Sequence, residues 1–235
     1  MIDLHLSEPV HRMIAAPTGG GKSYFVGFLI EQIYAQRIPF IILDTKTVNH
    51  IGLSQLPEVT TFKINPKRPL SNIDVFLDTP YALCVPHSRD DDVKDIIDMY
   101  REIGHYLWLH EANPRVFIFE EAHNWNKNAS VPDSLLEKFA REGRGYGKYA
   151  WYITQRLQNF SQLLWSQCKY TYLFRHNTPT DLRYISQMIP EFQWRQNKSP
   201  GLNDDLQDHD VLVWDGRTSN IIKANEVRRK TKHRG

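Results

Sequence analysis

The sequence predicts a three-layer α/β domain: a mostly parallel sheet flanked by helices, closed at its C-terminal end by a β-hairpin. Three observations predict it. Short apolar runs alternate with helix-like stretches along the chain, the rhythm of a parallel sheet with helices on both faces. A glycine-rich run, residues 16–23, joins an apolar stretch to a helix-like one. The last two apolar runs flank Asp215-Gly216-Arg217, a hairpin signal.

Taken in order, strands are expected at 12–16, 40–44, 61–64, 82–86, 116–120, 150–154, 170–175, 211–214 and 220–224. Helices are expected at 23–36, 91–111, 133–142, 161–167 and 180–188. The longest carries Val93, Ile96, Ile97, Tyr100, Ile103, Leu107 and Leu109, close to a 3.6-residue period. Asp90, Asp91 and Asp92 near its start suit the positive end of the helix dipole. Residues 193–210 are polar, carry Pro200-Gly201, and read as a long loop. The chain divides into a single domain, 1–225, and a basic, flexible tail, 226–235.

At 41% hydrophobic and 24% charged, the composition is that of a soluble globular protein. No apolar run approaches the ~18–20 residues that span a membrane, and residues 1–10 lack the apolar core of a signal peptide. Cys84 and Cys168 lie in apolar segments and read as buried free thiols rather than a disulfide or metal pair, which points to an intracellular protein. A net charge of +2 excludes a global basic field. Lys223, Arg228, Arg229, Lys230, Lys232 and Arg234 nevertheless cluster against a single Glu226. That cluster suits a phosphate backbone or, equally, a solubilising terminus.

The run Ala16-Pro17-Thr18-Gly19-Gly20-Gly21-Lys22-Ser23 has the form of a phosphate-binding loop. Its glycines let the backbone curl so that amides face phosphate oxygens. Lys22 brings a charge to the β and γ phosphates, and the Ser23 hydroxyl is a Mg²⁺ ligand. The following helix adds its positive end. Pro17, Thr18, Gly19, Gly20, Gly21, Lys22, Ser23 and Tyr24 form the expected nucleotide-binding set, for ATP with Mg²⁺. Ala16 replaces the usual first glycine; a small residue still fits.

Hydrolysis needs an acid at the end of a neighbouring strand, and Val116 to Phe119 lead into Glu120 and Glu121. The first acid binds Mg²⁺, usually through water; the second acts on the attacking water. Glu rather than Asp at 120 leaves the metal geometry open. A second apolar run ends in Thr154 and Gln155, where an amide could report the γ phosphate or hold the water. Arg141 and Arg144, within Arg-Glu-Gly-Arg-Gly-Tyr-Gly, are poorly placed for a core. They suit contact with a neighbouring subunit's nucleotide, where an arginine neutralises charge on the transferred phosphate. The competing reading is a surface helix end whose arginines meet the last carbonyls.

Together these elements resemble the FtsK/HerA superfamily of DNA-pumping ATPases. Asp44 and Lys46 match its Asp-x-Lys strand end, Glu120 to His123 its acid-Glu-Ala-His run, and Gly143, Arg144 and Gly147 its Gly-Arg-x-x-Gly element. Thr154, Gln155 and Arg156 match its Thr/Ser-Gln-Arg strand end, and Asp181 to Arg183 its Asp-Ser-Arg element. The resemblance spans about residues 12–190. It implies a RecA-like ATPase domain, a hexameric ring threading double-stranded DNA, and ATP between subunits, with Arg144 the first candidate for the arginine in trans and Arg141 the second. A phosphate loop so early in the chain resembles the minimal genome-packaging ATPases of tailless membrane-containing viruses. That implies capsid-vertex or viral membrane proteins as partners, and a location in the host cytoplasm or at a packaging vertex. The alternatives are a motor for plasmid transfer, segregation or end processing, a P-loop kinase, and a nucleotide-gated adaptor that does not hydrolyse. Lys63, Lys67, Arg68 and the C-terminal cluster are candidate DNA contacts; Trp125 is read as core or DNA contact.

Overall fold

A computed structural model describes residues 4–126, 128, 130–193 and 200–233. Residues 194–199 of the expected loop, and Arg234 of the basic cluster, lie outside the described residues. Among those described, nine strands form one sheet in the order β3-β4-β2-β5-β6-β1-β7-β8-β9. They are β1 (Arg12–Ala15), β2 (Phe40–Leu43), β3 (Thr60–Ile64), β4 (Tyr81–Pro86), β5 (Arg115–Phe119), β6 (Lys148–Thr154), β7 (Tyr170–Leu173), β8 (Val211–Trp214) and β9 (Ser219–Ile222). The pairings from β3 across to β7 are parallel; β7-β8 and β8-β9 are antiparallel. The turn between β8 and β9 puts Gly216 at φ +92°.

Successive residues of the central strands point to opposite faces, and both faces are buried. Met13 and Ala15 join one core with Ile41, Leu43, Phe117 and Phe119; Ile14 joins the other with Phe40, Ile42, Ile118 and Ile153. Helix α1 (Lys22–Ala35) covers the second face, and α3 (Val93–His110), α4 (Ser134–Glu142), α5 (Gln162–Ser166) and α6 (Pro179–Met188) cover the first. Asp92 caps α3 by accepting from Lys94 N, and Asp133 caps α4 by accepting from the amides of Leu135 and Leu136. The short helix α2 (Val75–Asp78) is too brief to show a period in the sequence.

Several central strands stop one residue before the end expected from their apolar runs. Ala16, Asp44 and Glu120 follow β1, β2 and β5 directly; β2 and β5 leave the sheet where an acid begins, and β1 where the phosphate loop begins. Their common end is the crevice at which α/β sheets take ligands. The basic run read as a flexible tail turns back over α1 through its described residues. Buried Glu31 of α1 accepts from Lys230 N at 2.7 Å, Thr231 N at 2.9 Å and Thr231 Oγ1 at 2.6 Å.

Candidate active site

The phosphate loop leaves β1 and enters α1 with Gly19 at φ +79° and Gly21 at φ +92°, angles that side chains rarely adopt. Gly20 N donates to Pro17 O at 3.0 Å, which closes the turn. Lys22 opens α1 and is only 4% exposed. Its Nζ donates to Glu120 Oε2 at 3.1 Å and lies 3.8 Å from Glu121 Oε1. Burial disfavours the ammonium, but the two carboxylates outweigh it and raise the Lys22 pKa above its ordinary value.

Glu120 is fully buried. Burial by itself opposes ionisation; Lys22 and His50 overcome it and hold the Glu120 carboxyl well below the usual range. His50 Nε2 meets Glu120 Oε1, so the two carboxylate oxygens have separate partners. Asp44 lies beside this group. Burial pushes its carboxyl up to about 7, against the pull of His50, the Lys46 amide and Lys22.

Glu121 sits at φ +47°, a left-handed conformation rare for a side-chain-bearing residue and costly unless its surroundings enforce it. The turn aims the carboxylate back toward the phosphate loop. Its Oε1 accepts from Lys46 Nζ at 2.8 Å and from Gln155 Nε2. Gln155 Oε1 in turn accepts from Thr18 Oγ1 at 2.9 Å. One chain of contacts thus links the phosphate loop, the end of β6 and the acid pair. It forms because β5, β6 and β1 are neighbours, with Phe119 opposite Tyr152 and Ala15 opposite Thr154. His123 Nδ1 lies 2.9 Å from Thr154 Oγ1, and burial lowers its pKa to about 4.

Ser23 and Glu120, read as the metal-binding pair, offer a hydroxyl and a carboxylate, the hard oxygen donors that Mg²⁺ takes. The chemistry of this donor set fits the ion, while both Glu120 oxygens are engaged within the chain, Oε2 by Lys22 and Oε1 by His50.

Arg144 does not join this group. It is exposed in the turn before β6, while Gln155 follows the other end of that strand. Seven residues from Lys148 to Thr154, at about 3.3 Å each, put the two ends about 20 Å apart, beyond the reach of a side chain. Arg141 is also exposed and pairs with Glu137 at 2.8 Å. Of the other expectations, Trp125 is buried against Tyr100 and Phe119 and packs in the core. Lys63, Lys67 and Arg68 are exposed. Lys223 pairs with Asp210 at 2.8 Å and Arg229 Nε lies 3.6 Å from Glu31, so these two members of the cluster are engaged within the domain. At the start of α6 Thr178 Oγ1 caps the helix by accepting from Asp181 N, and donates to Asp181 Oδ2 at 2.6 Å.

Sequence reading passes over His50, which sits in a segment without periodicity, and leaves Lys46 without chemistry. Only the Asp44-x-Lys46 spacing hinted that this strand end meets the acids. It also passes over Arg175, which with Pro17 to Gly20 lines a polar cavity of about 330 Å³.

Residues 9–208 match the family model described as "Helicase HerA, central domain". Among solved structures the chain is similar to the genome packaging NTPase B204 of Sulfolobus turreted icosahedral virus 2 in complex with ATP-gammaS. The identity is 18%, the coverage 92% of this chain and 97% of that one, and the TM-score 0.66. It is also similar to VirB4 of Thermoanaerobacter pseudethanolicus, at 13% identity over 91% and 88% of the two chains with a TM-score of 0.66. At such identities the likeness is one of fold. No curated protein matches the sequence.

Proposed function

Because this chain belongs to the family of the HerA helicase central domain, we propose that it is an ATP-hydrolysing motor for double-stranded DNA, working as a ring, and that it packages a viral genome into a preformed capsid. One observation carries the reading. Lys22, Glu120, Glu121 and Gln155 converge at one end of the sheet while Arg144 is exposed at the other. A site so divided is completed by a second copy that presents its Arg144 end to the first copy's phosphate loop, an arrangement that repeats into a ring.

Within that site each residue has a task. A triphosphate on the loop amides competes with Glu120 for Lys22, which then neutralises phosphate oxygens. Gln155, held between Thr18 and Glu121, orients a water in line with the γ phosphorus. Water oxygen bonds to that phosphorus, the bond to the β–γ bridging oxygen breaks, and the water's proton passes to Glu121. Mg²⁺ held by Ser23 and, through water, Glu120 would supply charge neutralisation on the phosphates. Arg144 of the neighbour meets the charge that builds on the transferred group. Coupling the two ends of the domain through one nucleotide makes hydrolysis responsive to assembly.

The packaging reading is supported by near end-to-end coverage of B204, whose description is a genome packaging NTPase. The likeness to the pCW3 conjugation coupling protein TcpA (12% identity, TM-score 0.57) favours a second reading, the same motor in plasmid transfer. No helix among the described residues is long and apolar enough to cross a membrane. The test is ATP hydrolysis by the full chain with and without duplex DNA at graded salt. A translocase grips backbone phosphates without reading bases, so stimulation should be independent of sequence and fall steeply as salt rises. Hydrolysis indifferent to DNA at low salt would overturn the motor reading. No hydrolysis at all, with ATP bound, would favour a nucleotide-gated adaptor.

A further inference from the structure

Lys22 holds one oxygen of Glu120 and His50 holds the other, but the two partners are supported very differently. Lys22 is fixed by its place at the start of α1. His50 ends a run of bends and precedes a short 3₁₀ helix, Ile51–Gln55, in which Leu53 N donates to His50 O at 2.8 Å. Such single turns have poor hydrogen-bond geometry and little stability of their own. The His50 ring is fully buried, and its Nδ1 meets no hydrogen-bond partner among the described residues. The aim of the ring therefore depends on where the backbone of residues 50–55 is held.

The C-terminal segment supplies that hold. Gln55 Oε1 accepts from Lys232 N at 3.2 Å. Lys232 O lies so close to Gly52 that a Cβ there would stand 1.8 Å from it. The segment is anchored in turn to α1. Buried Glu31 takes the three hydrogen bonds from Lys230 and Thr231 and sits beside the Arg229 guanidinium. Arg229 Nη2 donates to Thr231 Oγ1 at 2.7 Å, and Arg229 N donates to Tyr24 Oη at 3.2 Å, two residues along α1 from Lys22. A Cβ on Gly27 would stand 2.4 Å from the Arg229 guanidinium carbon, so α1 too leaves room for the segment.

We propose that residues 229–232 form a brace that positions His50 on Glu120, and so helps set the carboxylate that the reading above gives to Mg²⁺. The proposal rests on that reading of Glu120 and adds what fixes the acid in place. The brace joins the two partners of one carboxylate: α1, which carries Lys22, and the turn after His50. Releasing it frees the His50 side alone, because Lys22 stays on its helix. Groups that hydrogen-bond a ligating carboxylate typically count for 10–100-fold in metal affinity, and a brace that acts through such a group carries part of that effect. The Arg229 side chain and the amides of residues 230–232 are engaged in this anchoring rather than held out for a phosphate backbone.

The test measures the half-saturating Mg²⁺ concentration for ATP binding by the full chain, with ATP binding in EDTA as the reference. Gly52→Ala pushes Lys232 away and leaves the side chains of the site as they are. It should raise that Mg²⁺ concentration about tenfold and leave binding in EDTA unchanged. His50→Phe should raise it at least as far, and the double variant no further than His50→Phe alone, because the brace acts through His50. Lys232→Pro removes the amide that Gln55 accepts, at an exposed residue; it should shift the Mg²⁺ dependence the same way and serves if Gly52→Ala fails to fold. Without any ligand, the Leu53 amide should exchange its hydrogen faster in either brace variant than in the wild type. Effects that multiply in the double variant, an unchanged Mg²⁺ dependence or Leu53 exchange in the brace variants, or their loss of ATP binding in EDTA would each overturn the brace. A wild type whose ATP binding ignores Mg²⁺ would instead overturn the reading of Glu120 as the metal-binding acid.

Discussion

Acidification should unlock the end of the sheet that carries Arg144, through His11. This residue is fully buried beneath the Arg144 turn; a Cβ on Gly143 would lie 3.2 Å from its Cε1. His11 Nδ1 accepts the amide of Ala150 at 2.9 Å. A charged imidazole carries a proton on both nitrogens, so protonation sets an N–H against an N–H and breaks that bond. Burial, with the nearby Arg144 charge, lowers the His11 pKa from 6.5 to about 4. The unfolded chain therefore takes up a proton that the folded chain refuses. The resulting stability is fully present above pH 6.5 and is lost as pH falls toward 4, where the loss levels off. Between pH 7.5 and 4.5 the loss amounts to about 2.5 kcal/mol. His11→Gln keeps an acceptor for the Ala150 amide and removes the titration. Urea denaturation of wild type and variant at the two pH values isolates the term, because contributions common to both, including His123 and Asp44, cancel in the difference. The wild type should lose about 2.5 kcal/mol more than His11→Gln on acidification. A difference that stays constant across this range would refute the assignment of a neutral, acceptor His11.

Substitutions at four further residues address the site. Lys22→Ala should weaken ATP binding in an equilibrium assay, whereas Glu121→Gln should keep ATP bound and lower phosphate release by about 10²–10⁴-fold; normal turnover in the latter removes Glu121 as the base. Arg144→Ala should cut turnover by about 10³-fold or more with nucleotide binding by isolated subunits intact, and mixing it with Lys22→Ala protein should restore part of the activity, while recovery at no mixing ratio would argue against action in trans. His50→Phe removes the partner of Glu120 Oε1 and should raise the Mg²⁺ concentration needed for ATP binding about 10–100-fold, with His50→Gln recovering part of it; an unchanged Mg²⁺ dependence would make His50 a packing residue only.

Much of the fold is carried by local signals. The central strands are apolar on both faces because helices cover both, so they show as apolar runs, and β2 and β5 end where an acid begins. That is why Asp44 and Glu120 are legible as strand ends, as Ala16 is from the phosphate loop that follows it and Gln155 from the polar pair it forms with Thr154. The phosphate loop and the hairpin turn at Gly216 are legible for a similar reason, since their backbone angles demand glycine within a few residues.

What the sequence determined by itself is the set of longer elements and, to within a residue or two, most of their ends, because burial and turn geometry act on neighbours along the chain. Which ends meet was decided by strand order, a long-range property. Placing β6 between β5 and β1 joins Gln155 to both Glu121 and Thr18. Placing β2 beside β5 brings Lys46 to Glu121, and the loop after it brings His50 to Glu120. The same parallel direction sends Arg144 to the far end of the sheet, so that spacing in sequence, only eleven residues from Gln155, becomes separation in space. The C-terminal segment makes the same point in reverse. Its basic composition reads as a solvated tail, but one buried carboxylate on α1, Glu31, and two glycines that leave room for the Arg229 side chain and the Lys232 backbone turn it into a wall beside the phosphate loop.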